Sequence, residues 1–218
     1  VIGFLVQVRQ QNAPKWLKIN AYPLSLEADA SSGVLSISHD VSEIIEDRRN
    51  LERHAHFDSL TGLPNRRAFE RRLVLESERS RANLTPLCGA FCDVDHFKSI
   101  NDTHGHDAGD RVLVAIANTL KKHAGKHLFA ARHGGEEFVV LFPGLTAEDA
   151  SDRLDEIRID LSSRQMVNRD NGKSFGRITF SAGVSAVQGL EDTRGALTRA
   201  DAALYEAKEA GRDRVLIG

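Results

Sequence analysis

Asp93 and the adjacent pair Glu136 and Glu137 are acids whose setting asks for chemistry rather than solvation. Residues 86–91 read as a buried strand that delivers Asp93-Val94-Asp95 at its C-terminal end, the edge where α/β sheets place their ligands. Residues 128–131 and 138–142 are apolar and flank Arg132-His133-Gly134-Gly135-Glu136-Glu137, the pattern of a β-hairpin. Gly134 and Gly135 can take the positive φ that a tight hairpin turn demands, and without a Cβ they let another molecule approach the backbone. If the two strands are neighbours, the carboxylates converge. Hard oxygen ligands of this kind suit Mg²⁺, which takes one or two carboxylates and then phosphate oxygens. Two metals so held activate an attacking hydroxyl and neutralise charge on a phosphate. Lys208, on a helix expected over 194–210, and Arg212, four residues further on, are read as sharing the face of that final helix and reaching a triphosphate together. The residues by themselves point to metal-assisted phosphoryl or nucleotidyl transfer. Two blander readings stay open at this point: a Gly-Gly turn followed by solvated acids, and Asp95 as a helix N-cap, which leaves Asp93 unexplained.

The elements that must position these groups follow from periodicity. Apolar or alternating runs at 3–8, 16–22 and 33–38 predict three short strands. Residues 41–56 predict a charged helix with Val41, Ile44, Leu51 and Ala55 on one stripe, interrupted by Arg48. That spacing fits a short coiled-coil seam, the alternative being a helix packed on its own domain. Gly62 and Pro64 stop it, and Asn65 caps a second helix over 66–81. A short helix over 96–101, a polar turn over 102–107 and a helix over 108–122 follow. After the hairpin come a helix over 146–161, a turn over 170–173, a strand over 177–187, the helix carrying Lys208 and a closing strand over 214–217. The order from residue 86 predicts an α/β (α+β) sandwich with a central mixed β-sheet flanked by helices.

Composition narrows the classes. The chain has 218 residues, 41% hydrophobic and 28% charged, as soluble globular proteins do, and its formal net charge of -2 gives no basic field for nucleic acid. No apolar run reaches the length of a membrane span, and no basic segment followed by an apolar core opens the chain, which favours a cytoplasmic protein. Starting at Val1 rather than Met, the sequence reads as a fragment of a longer protein, whose membrane tethering is open. Cys88 and Cys92 fall on one strand with Cα atoms about 13 Å apart, beyond disulfide reach, and read as buried thiols. His104 and His106 lack the further ligands a zinc site requires.

The motifs 58–67 (DSLTGLPNRR), 93–110 (DVDHFKSINDTHGHDAGD), 132–138 (RHGGEEF), 181–184 (SAGV) and 201–212 (DAALYEAKEAGR) resemble, in order and spacing, those of the GGDEF-type diguanylate cyclases. The resemblance covers residues 55–218. It implies a fold like the palm domain of nucleotidyl cyclases and a reaction joining two GTP into cyclic di-GMP with release of two pyrophosphates, in a homodimer whose halves each hold one GTP. It implies Mg²⁺ (or Mn²⁺) on Asp93, the Val94 carbonyl, Glu136 and Glu137, with Glu136 as base for the ribose 3′-hydroxyl and Lys98 stabilising charge on the phosphate. Asn101, His106 and Asp110 are implied at the nucleotide, and Lys208 and Arg212 at its phosphates. Asp110 fits guanine chemically, since a carboxylate accepts from N1-H and N2-H, donors that adenine does not present. The family's Arg-x-x-Asp inhibitory site, nine residues before the first motif glycine, is replaced here by Gly125-Lys126-His127-Leu128. No inhibitory site is therefore expected at that place. The competing readings are a catalytically inactive GTP-binding module, against which every motif acid is retained, and a cyclase of mixed base specificity, against which Asp110 argues.

The first forty residues cannot bury a core of their own. The runs 16–24 and 33–41 resemble the last strands of a PAS sensor domain. The expected organisation is a partial PAS-like fragment over 1–40, a helical linker over 41–56 and the cyclase domain over 57–218.

Overall fold

A computed structural model of the chain describes residues 2–9, 15–25, 32–167, 172, 174–188 and 193–218. It divides into two compact units, 1–55 and 56–218.

The first unit is an antiparallel meander of β1 (Ile2–Val8), β2 (Lys15–Ser25) and β3 (Ser32–Asp40), followed by α1 (Ser42–His56). The strands run longer than expected because the β2–β3 register is continuous from Leu17↔Asp40 to Ser25↔Ser32. Asp40 organises the exit into α1. It accepts from Ser42 N at 3.1 Å and from Lys15 Nζ at 2.9 Å, and the Ser42 side chain first, then Lys15 and Ser42 N, draw its pKa down to about 2. Val41 N donates to Trp16 O, which leaves Val41 ahead of the helix rather than on its stripe. Ile44 and Leu51 are about two-thirds exposed, at 68% and 70%, so within this unit the seam of α1 is uncovered. Among the described residues, all the buried apolar side chains belong to the second unit.

That unit is a five-stranded sheet in the order β5-β6-β4-β7-β8. Its strands are β4 (Leu87–Val94), β5 (Phe129–Gly134), β6 (Glu137–Pro143), β7 (Phe180–Ala186) and β8 (Val215–Ile217). All pairs are antiparallel except β7 with β8. On one face α4 (His106–His123) and α5 (Ala147–Ser162) bury Val112, Leu113, Ile116, Leu154 and Ile157 against Cys92, Val140 and Phe142. On the other, α2 (Arg66–Asn83) sets Phe69 and Leu73 against Ala131, Val139 and Leu141, beside α6 (Thr193–Glu209). With helices on both faces, β4 and β6 are buried almost throughout, and they read as continuous apolar runs instead of alternating ones.

Small residues let α6 approach closely. A Cβ on Gly183 would lie 2.0 Å from Ala200 O and 2.4 Å from Leu204 N, and Ala200, Ala203 and Ala207 are all buried. The end of α6 is thereby pressed onto β7 and β4.

Three expectations are corrected here. β4 continues through Val94, so Asp93 lies within the strand and not beyond it. The polar turn expected over 102–107 is helical: α3 (Phe97–His104) and α4 meet at Gly105 alone, whose φ of +83° breaks the path while its N–H donates to Asn101 O. Exposed Asp102, Thr103 and His106 tolerate helix because their side chains reach solvent. β7 starts at Phe180 and not at 177, since its partner β4 ends at Val94, opposite Phe180. The turn expected over 170–173 falls, except for Gly172, outside the described residues. Among the described residues no helix is long and apolar enough to cross a membrane.

Candidate active site

The antiparallel pairing of β4 with β6 sets Asp93 opposite Glu137, while β7 sets Ser181 on the other side of Asp93. Val94 N donates to Glu136 O at 3.3 Å, closing the ladder at the hairpin tip. The neighbouring strands that the acids required are thus present. Asp93 is buried, whereas Glu136 and Glu137 are half-buried. Val94 has no donor atom in its buried side chain, so its carbonyl is the one group it could offer an ion.

The hairpin turn is the pair Gly135-Glu136, between Gly134 and Glu137. Of the two glycines, only Gly135 takes a positive φ, +50°. A Cβ on either would meet nothing within 4 Å, so the backbone at the tip is open. A register shift between Arg132 and Gly134 bulges the strand at His133. The His133 ring stands edge-on to Phe91 with centroids 5.1 Å apart, and its buried Nδ1 has no partner. Burial first, then Arg66, holds its pKa below the usual histidine value.

Arg132 braces the turn. Its Nε and Nη2 donate to Gly135 O at 3.1 and 2.7 Å, and its Nη1 lies 3.1 Å from both carboxylate oxygens of Asp58. Asp58 also accepts from Thr61 N at 2.8 Å and Thr61 Oγ1 at 2.6 Å, and Lys121 Nζ donates to Thr61 O at 2.6 Å. Burial alone lifts the Asp58 pKa, but the bonds from Thr61 and Arg132 outweigh it and hold the carboxyl below its usual range. The 58–67 motif is therefore a buttress of the hairpin, a role that the linear spacing did not disclose.

Lys208, near the end of α6, places Nζ 2.9 Å from Asp93 Oδ1. It is on the acid and not turned to solvent. Arg212 corrects the expectation of a shared helical face: α6 ends at Glu209, Gly211 takes φ +108° and Arg212 φ +64°, and Arg212 N returns to Ala207 O. Gly211, already beyond the expected helix end at 210, is the signal that the helical face should not have been extended to Arg212.

The paired helices α3 and α4 carry the remaining candidates. Lys98 lies on the exposed first turn of α3 and His106 on that of α4. Asn101 is half-buried with Oδ1 buried and unpartnered, and Gly109 makes room for it, since a Cβ there would lie 1.9 Å from that oxygen. Asp110 follows Gly109 and is exposed.

Asp95 is no helix N-cap, for that place belongs to His96. Buried, it accepts from Thr179 Oγ1 and Ser181 Oγ at 2.7 Å each and from Asp213 N at 3.1 Å, tying the end of β4 to β7 and to the loop that carries Arg212. Cys88 and Cys92 are buried free thiols; burial pushes the Cys88 pKa up to about 11 and that of Cys92 higher still.

Among the described residues no group of three acidic, histidine or cysteine side chains is gathered closely enough to hold a metal ion. Two facing acidic positions at a ladder end, with an ammonium already standing as a cation on one of them, nevertheless fit a Mg²⁺ whose remaining ligands come from phosphate.

The family model "Diguanylate cyclase, GGDEF domain" matches residues 55–214. Diguanylate cyclase DgcP of Pseudomonas aeruginosa is 39% identical over 196 residues, 87% of this chain and 29% of that protein. Diguanylate cyclase DgcM of Escherichia coli is 35% identical over 198 residues, 91% of this chain and 47% of that protein. The chain thus spans less than half the length of these curated relatives. The crystal structure of the coiled coil and GGDEF domain of DgcB from Caulobacter crescentus, in complex with c-di-GMP, superposes with a TM-score of 0.76 at 38% identity, covering 82% of this chain and 93% of that one.

Proposed function

The chain belongs to the GGDEF-domain diguanylate cyclase family, and from that membership we propose that it condenses two GTP into cyclic di-GMP and two pyrophosphates. The observation that carries the reading is the Asp93↔Glu137 register, which brings the strand acid and the hairpin acids to one ladder end beside the cation of Lys208. Asp93, the Val94 carbonyl, Glu136 and Glu137 are the groups that would hold Mg²⁺ or Mn²⁺, and the bound ion supplies neutralisation of phosphate charge.

The chain's own residues do the rest. Glu136, on the turn itself, takes the proton of the ribose 3′-hydroxyl as that oxygen attacks the α-phosphate of the second nucleotide and pyrophosphate departs. Lys98 faces the charge that develops on the phosphate. Asn101, His106 and Asp110 bind the base side of GTP; the unpartnered Asn101 amide oxygen, held in the space that Gly109 leaves, supports a donor arriving from outside. Lys208 and Arg212 serve the phosphates.

Each chain carries one such half-site, so the working unit is a homodimer. The exposed Ile44 and Leu51 of α1 supply an apolar stripe for pairing, and in the DgcB structure a coiled coil accompanies the GGDEF domain. The residues before α1 form the regulatory, PAS-like end of a sensor.

Incubation with GTP and Mg²⁺, read by product mass, tests the function. Cyclic di-GMP is expected from the parent and not from Glu136→Ala. GTP binding with no pyrophosphate release would establish instead a non-catalytic nucleotide-binding module.

A further inference from the structure

We propose that Lys208 is a resident counter-cation of Asp93, which keeps free divalent metal off that carboxylate and yields it only when a nucleoside triphosphate offers the ammonium new oxygens. Metal and nucleotide then enter together. The proposal rests on the cyclase reading and adds an order of binding to it.

Lys208 Nζ stands 2.9 Å from Asp93 Oδ1, the aspartate side chain being only 12% exposed and the lysine 31%. Within this half-shielded place, an ammonium and a divalent ion on one carboxylate repel strongly, so one must leave before the other binds. The lysine backbone cannot withdraw. Ala200 O and Leu204 N lie so close to Gly183 that α6 is seated on the sheet, and Ala203 and Ala207 are buried on its last turns. The side chain can withdraw, because a four-carbon stem with three rotatable donors swings without moving backbone. Its departure into solvent loses the ion pair, whereas its departure onto phosphate exchanges one anionic partner for another. Triphosphate therefore removes the competitor and supplies the missing metal ligands in one event, and by linkage metal and nucleotide each raise the other's affinity.

The test is Mn²⁺ binding to the whole chain without nucleotide, read from the electron paramagnetic resonance of free Mn²⁺. If the pair is closed about nine-tenths of the time, Lys208→Met binds Mn²⁺ about tenfold more tightly than the parent. Lys208→Arg, which keeps the charge and can fork onto Asp93, binds no more tightly than the parent. Arg214→Met removes an equal charge from the exposed loop after α6, at a residue outside the site, and shifts the affinity by no more than about twofold, as a screened field effect does. Asp93→Asn in the Lys208→Met background abolishes the gain. A non-hydrolysable GTP analogue tightens Mn²⁺ binding more in the parent than in Lys208→Met. Equal Mn²⁺ affinity in parent and Lys208→Met, or an equal gain from Arg214→Met, overturns the proposal. Circular dichroism checks that each variant is folded, and Lys208→Gln replaces Lys208→Met if the latter is not. Cyclic di-GMP formation by the parent is scored separately, so failure of the binding order and failure of the cyclase reading are told apart.

Discussion

Arg132 spans from Asp58 to the carbonyl of Gly135, with Nη1 3.1 Å from both carboxylate oxygens and Nη2 2.7 Å from the peptide oxygen. One guanidinium thus connects the turn that follows α1 to the residue beside Glu136. Arg132→Lys keeps the charge but cannot serve both partners with a planar fork. We expect a loss of about 1–3 kcal/mol, the cost of stranding part-buried polar groups, with a fall of several degrees in thermal midpoint. We also expect a drop in kcat larger than any change in KM, since the variant loosens the acid-bearing turn and not the nucleotide contacts.

Acid should weaken the same connection. The Asp58 pKa is lowered on folding, so its contribution is fully present above the unfolded value of about 3.9 and is lost as pH falls through the lower folded value. Denaturant melts of the parent at a series of acidic pH values should show this loss. Asp58→Asn should be less stable at neutral pH, with a shallower decline in acid.

Gly183→Ala should be far more damaging than its size suggests. The new methyl would sit 2.0 Å from Ala200 O, a backbone atom that cannot step aside, so α6 must lift from the sheet. Overpacking of this kind costs about 1–3 kcal/mol or more. Because Lys208 travels with α6, Mn²⁺ and nucleotide binding should change together with the melting temperature.

Gly109→Ala should separate binding from stability. Here the close atoms all belong to side chains, Asn101 Oδ1 at 1.9 Å and Asn101 Cγ and Phe97 Cζ at 3.0 Å. The helix gains up to about 1 kcal/mol from losing a glycine in its first turn, while the Asn101 amide is turned out of place. Thermal stability should hold or rise, and the KM for GTP should rise about tenfold, with discrimination against ATP reduced.

Product inhibition should be absent at the turn before β5. Gly125 N and Leu128 O bond across the tetrapeptide Gly125-Lys126-His127-Leu128, and Leu128 is 5% exposed, spent on the core. Initial rates should be unchanged by micromolar cyclic di-GMP. Inhibition noncompetitive with GTP that survives substitution of Lys126 would point to a different inhibitory surface.

Local order, the acidic sets and the family could all be read from the linear chain. Apolar period and punctuation gave the succession of elements, because an amphipathic face and a glycine or proline stop are local properties. Asp93, Glu136 and Glu137 stood out because acids beside apolar strand residues are costly unless something answers them. Tertiary packing decided what answers. Whether Asp93 meets Glu137 depended on β4 and β6 being neighbours in one register. That Lys208 rests on Asp93 depended on Gly183 and the alanines of α6 allowing a close approach, while Gly211 took Arg212 off the helix. The bond from Arg132 to Asp58 joins residues 74 apart in sequence, a distance at which spacing carries no signal and only the closed sheet brings the charges together.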